Sequence, residues 1–315
     1  MWKSGFVALL AASVFTPVLA SPATFERGMN TMWEVLWHQS GTPTRLVRWE
    51  GDLKVRMHGV DVQAHRQHTL RALRDVAAET GRQVVDVTDA PDAAQQANVH
   101  IEITPDSALS EQQPCETRLD YRTEARLESV TMKMRSRDAR RCAYHEAMHV
   151  MGVRGHPGGD TVLSYFHPHT EGLQPLDRAM LRAWYSPRAY GGMTPFEILP
   201  LLADELVAVM PDRAAAGRAR DAFLARTVQQ MQAFANGSGD VPAIVRQSGK
   251  SSDEGIRMGR MEVSYFLGIA YQQGVTVARD DTQATRWLQR AATMGSRTAQ
   301  ARLGAAAATT ASGSR

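Results

Sequence analysis

The chain has 315 residues, 43% of them hydrophobic and 22% charged, with a formal net charge of +3. That length can bury one large core or two ordinary ones. The basic residues are dispersed rather than gathered in a run, which argues against a nucleic-acid partner. Beyond the first twenty residues no stretch is long and apolar enough to span a bilayer.

Residues 1–20 read as a secretory signal peptide. Lys3 gives a short positive start, an apolar run extends from Phe6 to Leu19, and Val18-Leu19-Ala20 forms a small-residue cleavage site. The mature chain is then expected in the periplasm or outside the cell, with no membrane span after signal removal. Residues 24–39 place Phe25, Met29, Met32, Trp33, Leu36 and Trp37 at helical spacing, which predicts an amphipathic helix packed on the domain. Residues 44–49 and 53–57 alternate as strands do, and residues 61–80 read as a helix stopped by Gly81. His65 and His68, on that helix, read as surface or boundary residues. Strands are predicted over 83–87 and 97–104, a polar irregular stretch over 105–127, and a half-buried strand over 129–134.

That strand leads into His145-Glu146-Ala147-Met148-His149-Val150-Met151-Gly152-Val153-Arg154-Gly155-His156. Residues four apart share a helix face, so His145 and His149 can point two imidazoles at one metal ion. Glu146 sits beside them, where a carboxylate can take a proton from a metal-bound water. Gly152 can end the helix in a left-handed conformation, and His156 can return to the ion from outside it. Three protein ligands and one open position make a catalytic zinc pattern rather than a structural one. The expected cofactor is one Zn2+ per chain. The two cysteines, Cys115 and Cys142, favour one disulfide in an oxidising compartment. The alternative is that both bind zinc.

The motif resembles that of the metzincin zinc peptidases, whose metal helix ends at a glycine followed by a third histidine. Here that histidine comes one residue later than in most of them. Residues 161–165 are similar to the tight turn beneath the metal in that family, with Leu163 where a methionine would stand and Tyr165 where a tyrosine ligates the metal or donates to the oxyanion. Residues 173–185 are similar to the family's C-terminal helix. The resemblance implies that the strand at 129–134 is a sheet edge along the cleft, a place for a peptide substrate to pair. More narrowly, residues 45–190 resemble a bacterial envelope domain family of uncharacterised function. His167 and His169 stand as spare ligands should His156 not reach the metal.

A breaker cluster at 186–192 precedes a helical region. Residues 262–304 resemble one Sel-one-type helical repeat, related to the tetratricopeptide repeats. A single unit must lean on the helices over 194–235 or on a partner, for example an envelope protein. The residues from 305 to 315 read as a disordered tail. The predicted fold class is α+β. A metzincin-like domain spans 21–190, with a twisted mixed sheet, an active-site helix and a C-terminal helix, and an all-α helical-repeat region spans 191–304. The function implied is an exported zinc metalloendopeptidase acting on protein or peptide. Glu146 would be the general base and Tyr165 the oxyanion donor. The other reading is a zinc-binding scaffold without turnover, acting through its helical repeat. A peptidoglycan amidase would share the zinc chemistry but finds no support in the surrounding motif.

Overall fold

A computed structural model describes residues 22–37, 44–123, 125–165, 171–242, 245–246 and 253–312. The expected signal peptide, His167 and His169 lie outside them.

Five strands form one sheet: β1 (Leu53–Gly59), β2 (Val84–Asp86), β3 (Val99–Thr104), β4 (Cys115–Thr123) and β5 (Arg126–Arg135), in the order β2-β1-β3-β5-β4. All neighbours are parallel except β4, which runs antiparallel to β5. Val55 lies beside Val99, and Ile101 beside Met132. These residues, with Leu53, Met57, Ile103, Val130 and Met134, are buried on one face, while Lys54, Glu102 and Lys133 alternate onto the other. Helices α2 (Val62–Ala78) and α4 (Ala139–Val150) cover the apolar face, with the short α3 (Ala93–Gln96) before β3. This mixed α/β layer bears out the expected α+β class at the level of its elements.

Three local expectations need correction. The stretch expected to be irregular over 105–127 contains β4 and the start of β5. Cys115, Thr117, Leu119 and Tyr121 alternate with Glu116, Arg118 and Asp120, a period of two that its high charge conceals. Consequently residues 129–134 are interior, paired on both sides, and β4 is the edge strand on that side of the sheet. Residues 44–47 do not join the sheet. They run extended, Leu46 exchanging backbone hydrogen bonds with Gly192 and Met193, and Arg48 makes one isolated bridge to Arg126.

Helix α1 (Pro22–Val35) buries the predicted aromatics, with Trp37 just after it also in the core. Beyond the metal region come α5 (Pro175–Trp184), α6 (Pro195–Val209), α7 (Arg213–Asn236), α8 (Asp253–Gln273), α9 (Asp281–Thr293) and α10 (Arg297–Ser312). Thr194 and Glu197 form a reciprocal cap on α6, and Asp280 caps α9. The third correction is at the C-terminus: α10 runs to Ser312 in place of a disordered tail from 305. Its alanines, the strongest helix formers, account for that. Helix α8 packs on α6, α7 and α9. Gly268 lies against Leu288, where a Cβ would come within 2.7 Å of its Cγ. One buried cluster continues from the sheet through α1 and α5 into α6–α9. No helix among the described residues is long and apolar enough to cross a membrane.

Candidate metal centre

Helix α4 carries His145, Glu146 and His149 and ends at Val150, with Met151 as its C-cap. Its last carbonyls need partners. The Trp49 indole N–H donates to Val150 O at 2.8 Å, and the Tyr185 hydroxyl donates to Met151 O at 2.9 Å. Gly152 then turns the chain with φ +89°, and a Cβ there would lie 2.3 Å from Val47 O. Only glycine satisfies both the turn and the approach. Gly155 has a different reason: its Cβ would fall 2.5 Å from the Val35 backbone. The loop is thus pressed onto the end of α1, where Glu34 also accepts the Gly158 N–H at 3.0 Å.

This packing delivers His156 to the other two histidines. The Nε2 atoms of His145, His149 and His156 lie 3.0–3.1 Å apart in all three pairings. The longer spacing after Gly152 does not keep the third histidine away. Each α4 histidine is held from behind, His145 Nδ1 at 2.9 Å from Val162 O and His149 Nδ1 at 2.6 Å from Val153 O. A carbonyl oxygen only accepts, so Nδ1 carries the proton and Nε2 is left a bare lone pair. Two such lone pairs facing each other at 3.1 Å repel unless a cation lies between them. Nitrogen ligands about 2.0–2.1 Å from a tetrahedral ion are about 3.3 Å apart, close to the separations seen. The three histidines could therefore hold a metal ion, and they form one clustered ligand set among the described residues. Burial pushes His145 down to about 4, with the Val162 carbonyl opposing, so it stays in its neutral, ligating form.

Glu146 is buried beside the cluster and accepts a hydrogen bond from the Thr117 hydroxyl of β4 at 2.6 Å. Burial pushes its carboxyl up to about 7. The Thr117 hydrogen bond works against this and Glu116 adds to it. A cation among the histidines would favour the ionised form. Tyr165 stacks on His156 with ring centroids 4.4 Å apart, its hydroxyl 2.9 Å from His156 Nε2. Below them, Val162 and Leu163 are buried in the turn at 161–165. Asp177 of α5, fully buried, secures that turn. It accepts from the Thr161 hydroxyl, from Val162 N–H at 3.2 Å and from Gln174 N–H at 2.8 Å. The Val162 carbonyl that orients His145 is therefore fixed by a carboxylate on a different helix.

Cys115 of β4 and Cys142 of α4 are joined in a disulfide, and no free cysteine remains. The bond ties the edge strand to the metal helix one turn before His145. A cleft runs along β4 in two lobes, of about 350 Å³ and 610 Å³, with Glu146, Cys115 and Tyr165 shared between them. The smaller lobe is walled by the disulfide, Pro114 and Val162, the larger by Tyr121, Arg118 and Arg154.

Residues 31–156 match the family described as "protein of unknown function (DUF2927)". The match begins in the last turns of α1, takes in the whole sheet and ends on the third histidine. It leaves out Tyr165, α5 and all that follows. No curated protein and no solved structure matches the chain.

All three predicted ligands, the predicted base and Tyr165 thus lie at one cleft. Sequence reasoning missed Thr117 and Asp177. Thr117 shares a strand face with Cys115, so the alternation of β4 carried a signal for it. Asp177 had only its place at the start of an apolar helix.

Proposed function

We propose that this chain is a zinc-dependent peptidase of metzincin-like kind. The observation that carries this reading is the convergence of three imidazole Nε2 atoms within 3.1 Å of one another beside the buried carboxylate of Glu146. The edge strand along the cleft, the buried turn bearing Leu163 and the stacked Tyr165 support it. The turn and Tyr165 stand where the resemblance asks for a floor and a donor, while the edge is β4 in place of the strand at 129–134.

His145, His149 and His156 would hold the ion. When bound, it would lower the pKa of a water molecule and polarise the scissile carbonyl. Glu146 would serve as the general base, taking a proton from a water molecule in the cleft and giving it to the departing amine nitrogen. Thr117 keeps the Glu146 carboxylate turned to the cleft. Tyr165, whose hydroxyl already lies in the cleft, donates to the carbonyl oxygen as negative charge develops there. An extended peptide can pair with the free edge of β4 through main-chain hydrogen bonds. The cysteines serve as a disulfide and not as ligands. The presence of that disulfide accords with an oxidising compartment. Helices α8 and α9 are read as the Sel-one-like unit, seated on α6 and α7.

The test is metal stoichiometry and peptide turnover measured side by side. Wild type should hold one zinc per chain. Glu146→Gln should keep it and lose turnover by about 100-fold or more. His156→Ala should lose zinc affinity. A wild type that binds no zinc, or Glu146→Gln with full activity, would overturn the reading.

A further inference from the structure

Arg154 lies two residues before His156, in the segment that returns the chain from α4 to the third ligand. It lines the larger lobe with His149 and His156. Its Nη1 donates to the hydroxyl of Tyr121 on β4 at 3.3 Å, so it faces the edge strand. The other arginines along the cleft have carboxylate partners: Arg118 has Asp120 at 3.4 Å and Arg141 has Asp138 at 3.4 Å. Arg154 has no carboxylate partner among the described residues. A guanidinium remains charged at all physiological pH and offers five donors in a planar fork. One donor here meets a neutral hydroxyl, and four remain for whatever enters the lobe. The side chain is half-buried, which weakens solvent screening of its charge.

The walls match that demand. Tyr121 and Tyr165 are among the few large hydrophobic side chains exposed in the described structure, at 40% and 65%, and both line this lobe. Two ring faces suit the methylene stem of a side chain, and the guanidinium suits a carboxylate at its end, held by paired hydrogen bonds. Glu116 in the same lobe favours a singly charged group over a doubly charged one. We propose that Arg154 is a specificity-determining residue that selects peptides with an acidic side chain on the larger-lobe side of the scissile bond. This rests on the peptidase reading above and names its substrate class.

The experiment is calorimetric binding of peptide hydroxamates to the zinc-loaded full chain. One series carries glutamate, glutamine or lysine before the metal-binding group, and the other carries it after. In one series the glutamate compound should bind wild type about tenfold or more tighter than its glutamine twin. Arg154→Gln should abolish that preference and leave the glutamine compound's affinity unchanged. Arg154→Glu should shift preference toward lysine. Zinc content and circular dichroism equal to wild type would show that both variants fold. Equal affinities in wild type, a preference that persists in Arg154→Gln, or no binding by any hydroxamate would overturn the proposal. If the acid preference follows Arg154 but no peptide is cleaved, the peptidase reading fails and the acid-reading role stands. Cleavage without acid preference gives the reverse.

Discussion

Asp177 links the turn at 161–165 to the metal cluster through the backbone of Val162. Its carboxylate holds the Thr161 hydroxyl and the Val162 N–H, and the Val162 carbonyl orients His145. Asp177→Asn preserves the shape but puts an amide N–H against those donors. We expect zinc affinity to fall by about 10–100-fold, as for loss of an outer partner of a ligand, with His145 still present. A competition titration against a chelator reads this, and unchanged affinity would remove Asp177 from the site. Gly155 acts sterically. Gly155→Ala drives a methyl into the Val35 backbone, so the loop must lift from α1. A loss of about 1–3 kcal/mol in urea denaturation, together with weaker zinc binding, is the expected result. Neither residue announces its role locally, since each acts through a contact with a segment far away in sequence.

At the level of elements, α2 and α5 are joined through Glu79, which receives Arg178 and Arg182. Burial alone would raise the Glu79 carboxyl, but the two arginines outweigh it and hold the group below its ordinary value. A carboxylate depressed in the folded state adds stability that is present above its unfolded pKa. That stability is lost as pH falls through its folded value. Glu79→Gln should therefore cost about 0.5–1 kcal/mol at neutral pH, given that both arginines are partly exposed. It should cost nothing once pH lies below the folded value. Thermal melts across pH 3–7 read this, and a pH-independent difference would count against it. Strand β4 shows why some elements were legible and others were not. The interior strands β1, β3 and β5 bury one face, so their apolar alternation predicted them. Half of β4 faces solvent and the cleft, and its charges mask the same period. The resemblance implied that its neighbour is the edge, and sequence order does not reveal spatial order in a mostly parallel sheet. β5 follows β4 in the chain yet pairs with β3 as well.

Across the whole molecule, α1 lies between the metal loop and the helical region. Val35 and Glu34 support residues 155–158, while Trp33 packs on Phe196 of α6, and Gly28 faces Leu206. Arg45 reaches over to α8, donating to the Tyr265 hydroxyl at 3.0 Å. A chain ended at residue 190 would lay bare the apolar side of α1 and α5. We expect such a truncation to aggregate or to bind a hydrophobic dye, as read by size-exclusion chromatography and dye fluorescence. A monomeric fragment that holds zinc with wild-type affinity would mean that the two regions are independent. The tight packing of α1 follows from its aromatics, which the sequence placed in the core. Their partners in α6 and α7 were not visible there.

Whatever depends on local period and residue chemistry was legible in the chain alone. This includes the metal helix with His145, Glu146 and His149 on one face, the break at Gly152 and the alternating interior strands. Tertiary packing alone brings His156 to the other histidines across a longer turn, makes β4 the edge beside the cleft and joins Cys115 to Cys142. It also puts Thr117 and Arg154 in the wall of the cleft and Asp177 behind it, beneath the turn at 161–165. Helix and strand periods arise from neighbouring backbone geometry. The position of a loop histidine or an edge strand is set instead by which distant segments pack together, and in this chain Val35, Val47 and the disulfide fix that arrangement.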